Sequence, residues 1–407
     1  MQKKSTLTIR WVYLAAGVFA MLFSGVLYAW SILKIPFKDV FGWSDSSLAF
    51  NFTLTMCFFC LGAFAGSLLA KKTGTKVTLI LAGLLVGAGF TITGFLNADM
   101  QFMLYIAYAI LSGTGIGICY NVVVSTVCAW FPDRKGFCSG CLMLGFGIST
   151  LLLGNVISML FENSAFGWQK TYIILGVVLA AVLIIAGLII KRPSPDTVLP
   201  APKAVKTAKK ENFESRDFTT KEMLCSFTFW RAFICMAFMT AVGNSVISFA
   251  RDLMLSVDAA PALATTLVGV LSVCNGFGRI LTGAVYDALG RRLTMISANI
   301  LTIVAAGITL VAVYMHSLPL CIAGLCLTGL SYGACPTVTS AFSATFYGQK
   351  HFPTNYSITN FNLIAAAFIA SFSNSLMISS GSYMAPFVML LVLAVCALGL
   401  NFTIRKP

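Results

Sequence analysis

Twelve apolar runs follow one another along the chain, separated by polar breaks. They fall at roughly 11–33, 47–70, 77–96, 102–128, 136–161, 168–190, 229–249, 262–285, 293–314, 318–345, 354–379 and 383–404. A helix rises 1.5 Å per residue and a hydrocarbon core is about 30 Å thick, so each run is long enough to cross a bilayer. The pattern predicts an all-α, polytopic membrane protein with twelve transmembrane helices. One polar stretch, KRPSPDTVLPAPKAVKTAKKENFESRDFTTKEM, is far longer than the other breaks and divides the runs six and six. The expected organisation is an N-terminal six-helix bundle at 1–190, a linker at 191–228 and a C-terminal six-helix bundle at 229–407. Within the linker, FTTKEM reads as the start of a short surface helix.

Composition agrees. Of 407 residues, 58% are hydrophobic and 10% charged, whereas soluble domains carry about 25% charged residues. Too few charges remain to cover a water-facing surface. The basic start MQKKSTLTIR leads into a full-length apolar run without a small-residue cleavage site, which predicts a retained first span and no signal peptide. The thirteen cysteines fall almost entirely inside apolar runs and read as small core residues. Cys57-x-x-Cys60 has no second pair and no histidine nearby, so neither a metal nor a cofactor is expected. No Ser/His/Asp set or nucleotide loop is visible, which leaves an enzyme the least favoured class.

Charge orients the spans. With the N-terminus inside, Lys34, Lys38, Lys170 and Arg251 fall outside, Arg279 falls in the membrane, and the other 22 of the 27 basic residues fall inside. This bias predicts cytoplasmic N- and C-termini; the expected location is a plasma membrane, the inner membrane in a bacterium. The net charge of +14 is then mostly a topology signal. A nucleic-acid partner would need a basic folded domain, and none is read. The basic linker can touch anionic lipid heads. Lys34 and Lys38, at the outer mouth, either attract anions or are simply solvated.

The two halves echo each other. SLLAKKTGTK (Ser67–Lys76) and GAVYDALGRR (Gly283–Arg292) follow the second and eighth spans at an offset of 216 residues. AWFPDRKGF and ATFYGQKHF follow the fourth and tenth at an offset of 215. Matched loops at nearly one offset predict a duplicated, pseudo-symmetric six-helix unit.

The stretch SVCNGFGRILTGAVYDALGRR (Ser272–Arg292) places Arg279 about 12 Å inside Asp287 along a helix. A charge at that depth costs a few kcal/mol. Either the guanidinium snorkels to the interface, or it forms an anion site, where its planar fork suits a carboxylate. No acid is expected mid-span, and His316 and His351 fall in loops. An unpaired buried arginine is costly in a closed, dry intermediate, and a bound anion neutralises it. The loaded carrier then reorients faster than the empty one, which gives exchange.

The six-plus-six layout and the loop Gly283-x-x-x-Asp287-x-x-Gly290-Arg291-Arg292 resemble the major facilitator superfamily. The resemblance implies that Asp287 pairs with a helix end and latches one conformation. Lys71 holds the acid's place in the first half, so the latch is weaker there. RWVYLAAGVFAMLFSGVLYAWSILKIPFKDVFGWS on the first span and GTGIGICYNVVVSTVCAWFPDRKG on the fourth are similar to the oxalate/formate antiporter family, relatives of the monocarboxylate transporters. That likeness makes Arg279 a substrate-binding residue and Tyr28, Tyr120 and Tyr332 lining residues. Packing or an interfacial belt is the alternative for each tyrosine. Four positions depart from the patterns of these relatives. Leu363 stands where the antiporter pattern has a second cation, Thr328 and Asn360 replace bulky tryptophans, and Asn275 replaces the acid of proton-coupled carriers. One fixed cation balances a monoanion better than the oxalate dianion. Asn244, Asn275, Thr359, Asn360 and Asn362 either bond substrate or join helices. The glycines of GTGIG, LVGAG and LGFG read as close helix contacts that slide.

The expectation is a monomeric secondary transporter exchanging small carboxylates, formate- or lactate-like, by alternating access. A proton-coupled symporter and a non-transporting sensor are the other readings.

Overall fold

A computed structural model describes residues 2–133, 135–194, 197, 199, 200, 217–348 and 350–405, apart from the side chains of 2–7, 135, 136 and 287. Among the described residues there is no strand, and eleven helices are long and apolar enough to cross a membrane. One of them, Asp45–Thr93, has 49 residues, about 74 Å at 1.5 Å per residue. That exceeds twice a core of about 30 Å. Its backbone breaks at Gly74 (φ 81°, ψ 167°), so it supplies two crossings and brings the total to twelve.

Pro261–Tyr314 breaks in the same way at Gly290 (φ 74°, ψ 178°). The two breaks lie 216 residues apart, the offset of the sequence echo. Both need φ in the left-handed range, where a Cβ is costly and glycine is not. The repeat is thus carried by the backbone as well as by the sequence.

Two crossings are interrupted near the middle of the molecule. The first runs as Gln2–Ser24, a 3₁₀ turn Gly25–Ala29 and a short helix Trp30–Leu33. The eleventh runs as Phe352–Thr359 and then Asn362–Ser380, with Asn360 and Phe361 between. Irregular backbone at membrane depth is tolerated where it is buried in protein or lines a cavity. Both breaks sit beside the site described below.

Side-chain contacts identify the two ends of the bundle. At one end, Arg10 pairs with Asp133 (2.8 Å), Lys71 Nζ donates to Thr354 Oγ1 (2.9 Å), and Trp130 Nε1 donates to the Lys191 carbonyl (2.6 Å). Arg291 reaches the Ile404 carbonyl there (3.3 Å). This basic face also carries the helix Thr220–Leu224, where FTTKEM predicted one. A capping box of Thr219 and Glu222 starts it. Most of the linker, 195, 196, 198 and 201–216, lies outside the described residues.

At the opposite end, Lys34 pairs with Asp252 (2.8 Å) and Lys38 with Asp45 (2.9 Å). The first pair ties the first crossing to the seventh. For Lys34, 10% exposed, this corrects the reading as a solvated group or a free attractor of anions, because its ammonium already holds a carboxylate; Lys38 is paired too but stays solvated, 45% exposed.

The glycine clusters mark close approaches. A Cβ on Gly147 would lie 2.9 Å from the Gly276 Cα, so Lys135–Glu162 and Pro261–Tyr314 touch backbone to backbone. A Cβ on Gly117 would run into the Phe59 carbonyl, and one on Gly89 into the Ala107 carbonyl.

Candidate functional site

Arg279 lies on Pro261–Tyr314 with 1% of its surface exposed. It does not snorkel to the basic face. The neighbouring helix Leu318–Tyr347 comes close because Gly333 has no side chain; a Cβ there would meet the Asn275 carbonyl and sit 3.0 Å from the Arg279 nitrogen. That approach holds the turn 275–279 against the interior.

The partners of the guanidinium are neutral. Nε donates to Asn275 Oδ1 one turn earlier (3.1 Å). Nη2 donates to Tyr28 Oη from the 3₁₀ turn of the first crossing (3.4 Å). Nη1 has no hydrogen-bond partner among the described residues. Among the described residues no ion pair includes Arg279. The Phe146 ring lies beneath it, 5.9 Å from Cζ, a cation–π contact.

Two tyrosine pairs bridge the halves. Tyr28 and Tyr332 hydroxyls are 3.1 Å apart, and Tyr332 also donates to Asn244 Oδ1 (2.7 Å). Tyr120 and Tyr356 hydroxyls are 3.3 Å apart. Phe146 packs edge-on against both Tyr28 and Tyr120, with centroids at 5.1 and 5.3 Å.

Beside this network is a cavity lined by Tyr28, Phe59, Tyr120, Thr240, Asn360 and Leu363 among others, with a volume of about 10 Å³. That is on the order of one water. Among the described residues, no ionisable acid or base other than tyrosine and cysteine lines it. Asn360 reaches the wall because the eleventh crossing breaks at that residue, and its Nδ2 has no partner. Lys34–Asp252 ties the two halves together toward one end and Lys71–Thr354 toward the other.

Of the residues that sequence pointed to, Arg279, Asn275, Tyr28 and Tyr332 form one network, while Tyr120 and Asn360 line the cavity with Tyr28. Asn275 spends its carbonyl oxygen on Arg279. Thr328 is buried with its hydroxyl unpartnered, but it does not line the cavity. Asn244 joins through Tyr332. Leu363 lines the wall as an apolar residue. Phe146 and Tyr356 were missed as site residues. The Phe146 signal was its place between the two close-contact glycines of LGFG, Gly145 and Gly147. In the loop after the eighth span, Gly283 is buried and Arg292 exposed. Arg291 lies 5.2 Å from the Phe346 ring. Asp287 falls within the helix, its side chain outside the described residues.

Twelve helical crossings around a buried, closed polar centre define a membrane transporter. The profile of the Major Facilitator Superfamily matches residues 12–250 and again 233–407, and the chain belongs to that family. It is 31% identical over 301 residues to the oxalate:formate antiporter of Oxalobacter formigenes, covering 72% of this chain and 67% of that one. It is 24% identical over 383 residues to monocarboxylate transporter 12 of Rattus norvegicus, covering 88% and 77%. A solved proton:xylose symporter shares the fold at TM-score 0.71 and 14% identity, covering 100% and 97%. An inward-facing bacterial homologue of the lysosomal transporter Spinster shares it at 0.68 and 16%, covering 97% of each. The family and these relatives are transporters, not enzymes.

Proposed function

We propose that this protein exchanges small monocarboxylate anions, formate- or lactate-like, by alternating access of two halves, 1–190 and 229–407, joined by the linker 191–228. One observation carries the reading: a fully buried guanidinium, with one nitrogen unpartnered and only neutral groups on the others, beside a cavity with no second cation. Neutral partners satisfy hydrogen bonds but leave the charge. A carboxylate supplies both, and its two oxygens match the guanidinium fork. With Leu363 in the wall, one positive charge meets one negative charge, which favours a monoanion over a dianion. The likeness to an oxalate:formate antiporter and to a monocarboxylate transporter supports the substrate class.

In this reading the basic face is cytoplasmic and holds both termini, and the chain works as a monomer in a plasma membrane, the inner membrane if the host is bacterial. Arg279, Tyr28, Tyr120, Tyr332, Asn275 and Asn360 handle the substrate, with Thr328 behind them. Asp287, Gly283, Gly290, Arg291 and Arg292 form a latch at the turn after the eighth span.

The test is a thermal-shift screen of small carboxylates on purified wild-type and Arg279→Ala protein. Ligands that bind the native state raise its melting temperature. Formate, acetate or lactate should stabilise the wild type and leave Arg279→Ala unmoved. Equal stabilisation of both proteins would remove Arg279 from the site.

A further inference from the structure

A second cavity lies on the basic face, apart from Arg279. Its volume is about 290 Å³, near the lower end of the roughly 300–1,000 Å³ of small-molecule sites. The Gly74 turn, the helix Gly113–Cys128, the exit of Gly167–Ile189 and Pro353 form its walls. Among the described residues four cations line it, Lys71, Lys76, Lys191 and Arg192, and no carboxylate does. All four are exposed, and among the described residues none is in an ion pair. Four like charges around one hollow give it a positive potential that favours an anion.

Hydrogen-bond donors accompany the charge. Thr75 and Thr126 meet at the wall, their hydroxyls 3.3 Å apart. Lys71 spends one of its three ammonium protons on Thr354 (2.9 Å) and keeps two. The helix restarts after the break at Gly74, and Gly74, Thr75 and Lys76 line the cavity, so the positive end of that helix points there. Lys71 holds the place that Asp287 holds in the second half. The repeat therefore makes this site in one half only.

We propose that this cavity binds a phosphate-type oxyanion, either the phosphate of an anionic lipid headgroup or free inorganic phosphate. Inorganic phosphate carries up to two charges and a lipid phosphodiester one, and either presents a tetrahedral set of acceptor oxygens that several of the four cations and the Thr75 and Thr126 hydroxyls can share, whereas a carboxylate offers two oxygens in one plane. Pro353 and Thr354 belong to the eleventh crossing, so a phosphate held by Lys71 lies against both halves and stabilises the closed basic face.

Melting of the full chain in maltoside micelles tests this. Inorganic phosphate is compared with chloride at matched ionic strength, and phosphatidylglycerol with phosphatidylcholine. The wild type should melt several degrees higher with at least one phosphate probe than with its control. A gain with phosphatidylglycerol alone assigns the headgroup, and a gain with inorganic phosphate alone assigns the free ion. Lys76→Gln/Lys191→Gln/Arg192→Gln should lose most of the gain. Lys72→Gln, an exposed neighbour that does not line the cavity, should keep it. Arg279→Ala should also keep it, which separates this site from the central one. An equal gain with chloride, or a gain the triple variant retains, would overturn the proposal. So would a gain emerging only after Asp196, Glu211 and Glu214 are changed to Asn or Gln, since the chain's own acids would then own the cavity.

Discussion

At the scale of single residues, the burial of Arg279 and the binding role proposed for it pull in opposite directions. An uncompensated buried charge is destabilising, and apolar replacement of buried ionic groups is often neutral or stabilising by about 1–4 kcal/mol. Arg279→Met should therefore melt, free of ligand, at or above the wild-type temperature while losing all response to carboxylates. A lower melting temperature would mean that the Asn275, Tyr28 and Phe146 contacts outweigh the charge. Tyr28 joins Arg279 to Tyr332 across the halves, and hydrogen bonds to charged groups contribute about 1.5–3 kcal/mol. Tyr28→Phe should weaken carboxylate binding by roughly tenfold or more in a titration. Tyr108→Phe should change nothing, because that buried hydroxyl has no partner. The arginine was legible in sequence because a charge inside an apolar run is rare and costly. Phe146 was not, because an aromatic residue in an apolar run carries no contrast; only its flanking glycines distinguished it.

At the scale of elements, the paired breaks at Gly74 and Gly290 were legible as glycine turns at one offset. The break in the first crossing was not, since hydropathy runs unbroken through Gly25–Ala29; in the eleventh, Thr359, Asn360 and Asn362 interrupt the apolar run, but that contrast was read as side chains for substrate or helix contact and not as a break. Those interruptions decide which residues reach the cavity. The Lys34–Asp252 pair was hidden for a related reason: partners 218 residues apart share no local pattern. It joins the first and seventh crossings at 2.8 Å, with side chains 10% and 29% exposed. Asp252→Asn should loosen that end, so that a cysteine at the buried position Ser31 reacts faster with a membrane-impermeant maleimide. The swap Lys34→Asp with Asp252→Lys should restore protection. Unchanged labelling in Asp252→Asn would show that the pair does not close that end. Likewise Gly147→Ala puts a methyl group 2.9 Å from the Gly276 backbone. It should slow exchange at least tenfold while carboxylate binding, read by thermal shift, persists.

At the scale of the whole molecule, the twelve crossings and the six-plus-six layout followed from hydropathy and charge bias, because a bilayer imposes one length on every span. What joins the halves was out of reach of such reasoning. Tyr28–Tyr332 and Tyr120–Tyr356 close the centre, and ionic or hydrogen-bonded ties join the halves toward each end. In the proposed exchange, the halves close over Arg279 either with only neutral partners or with an anion whose charge matches, and the second is favoured, so that crossing the closed state would be faster loaded than empty. The direct measurement is carboxylate flux from proteoliposomes preloaded with labelled formate or lactate, with and without the same unlabelled acid outside, at equal internal and external pH. The account predicts efflux at least tenfold faster with acid outside, and loss of that acceleration in Arg279→Ala. Equal efflux in the two conditions would contradict it.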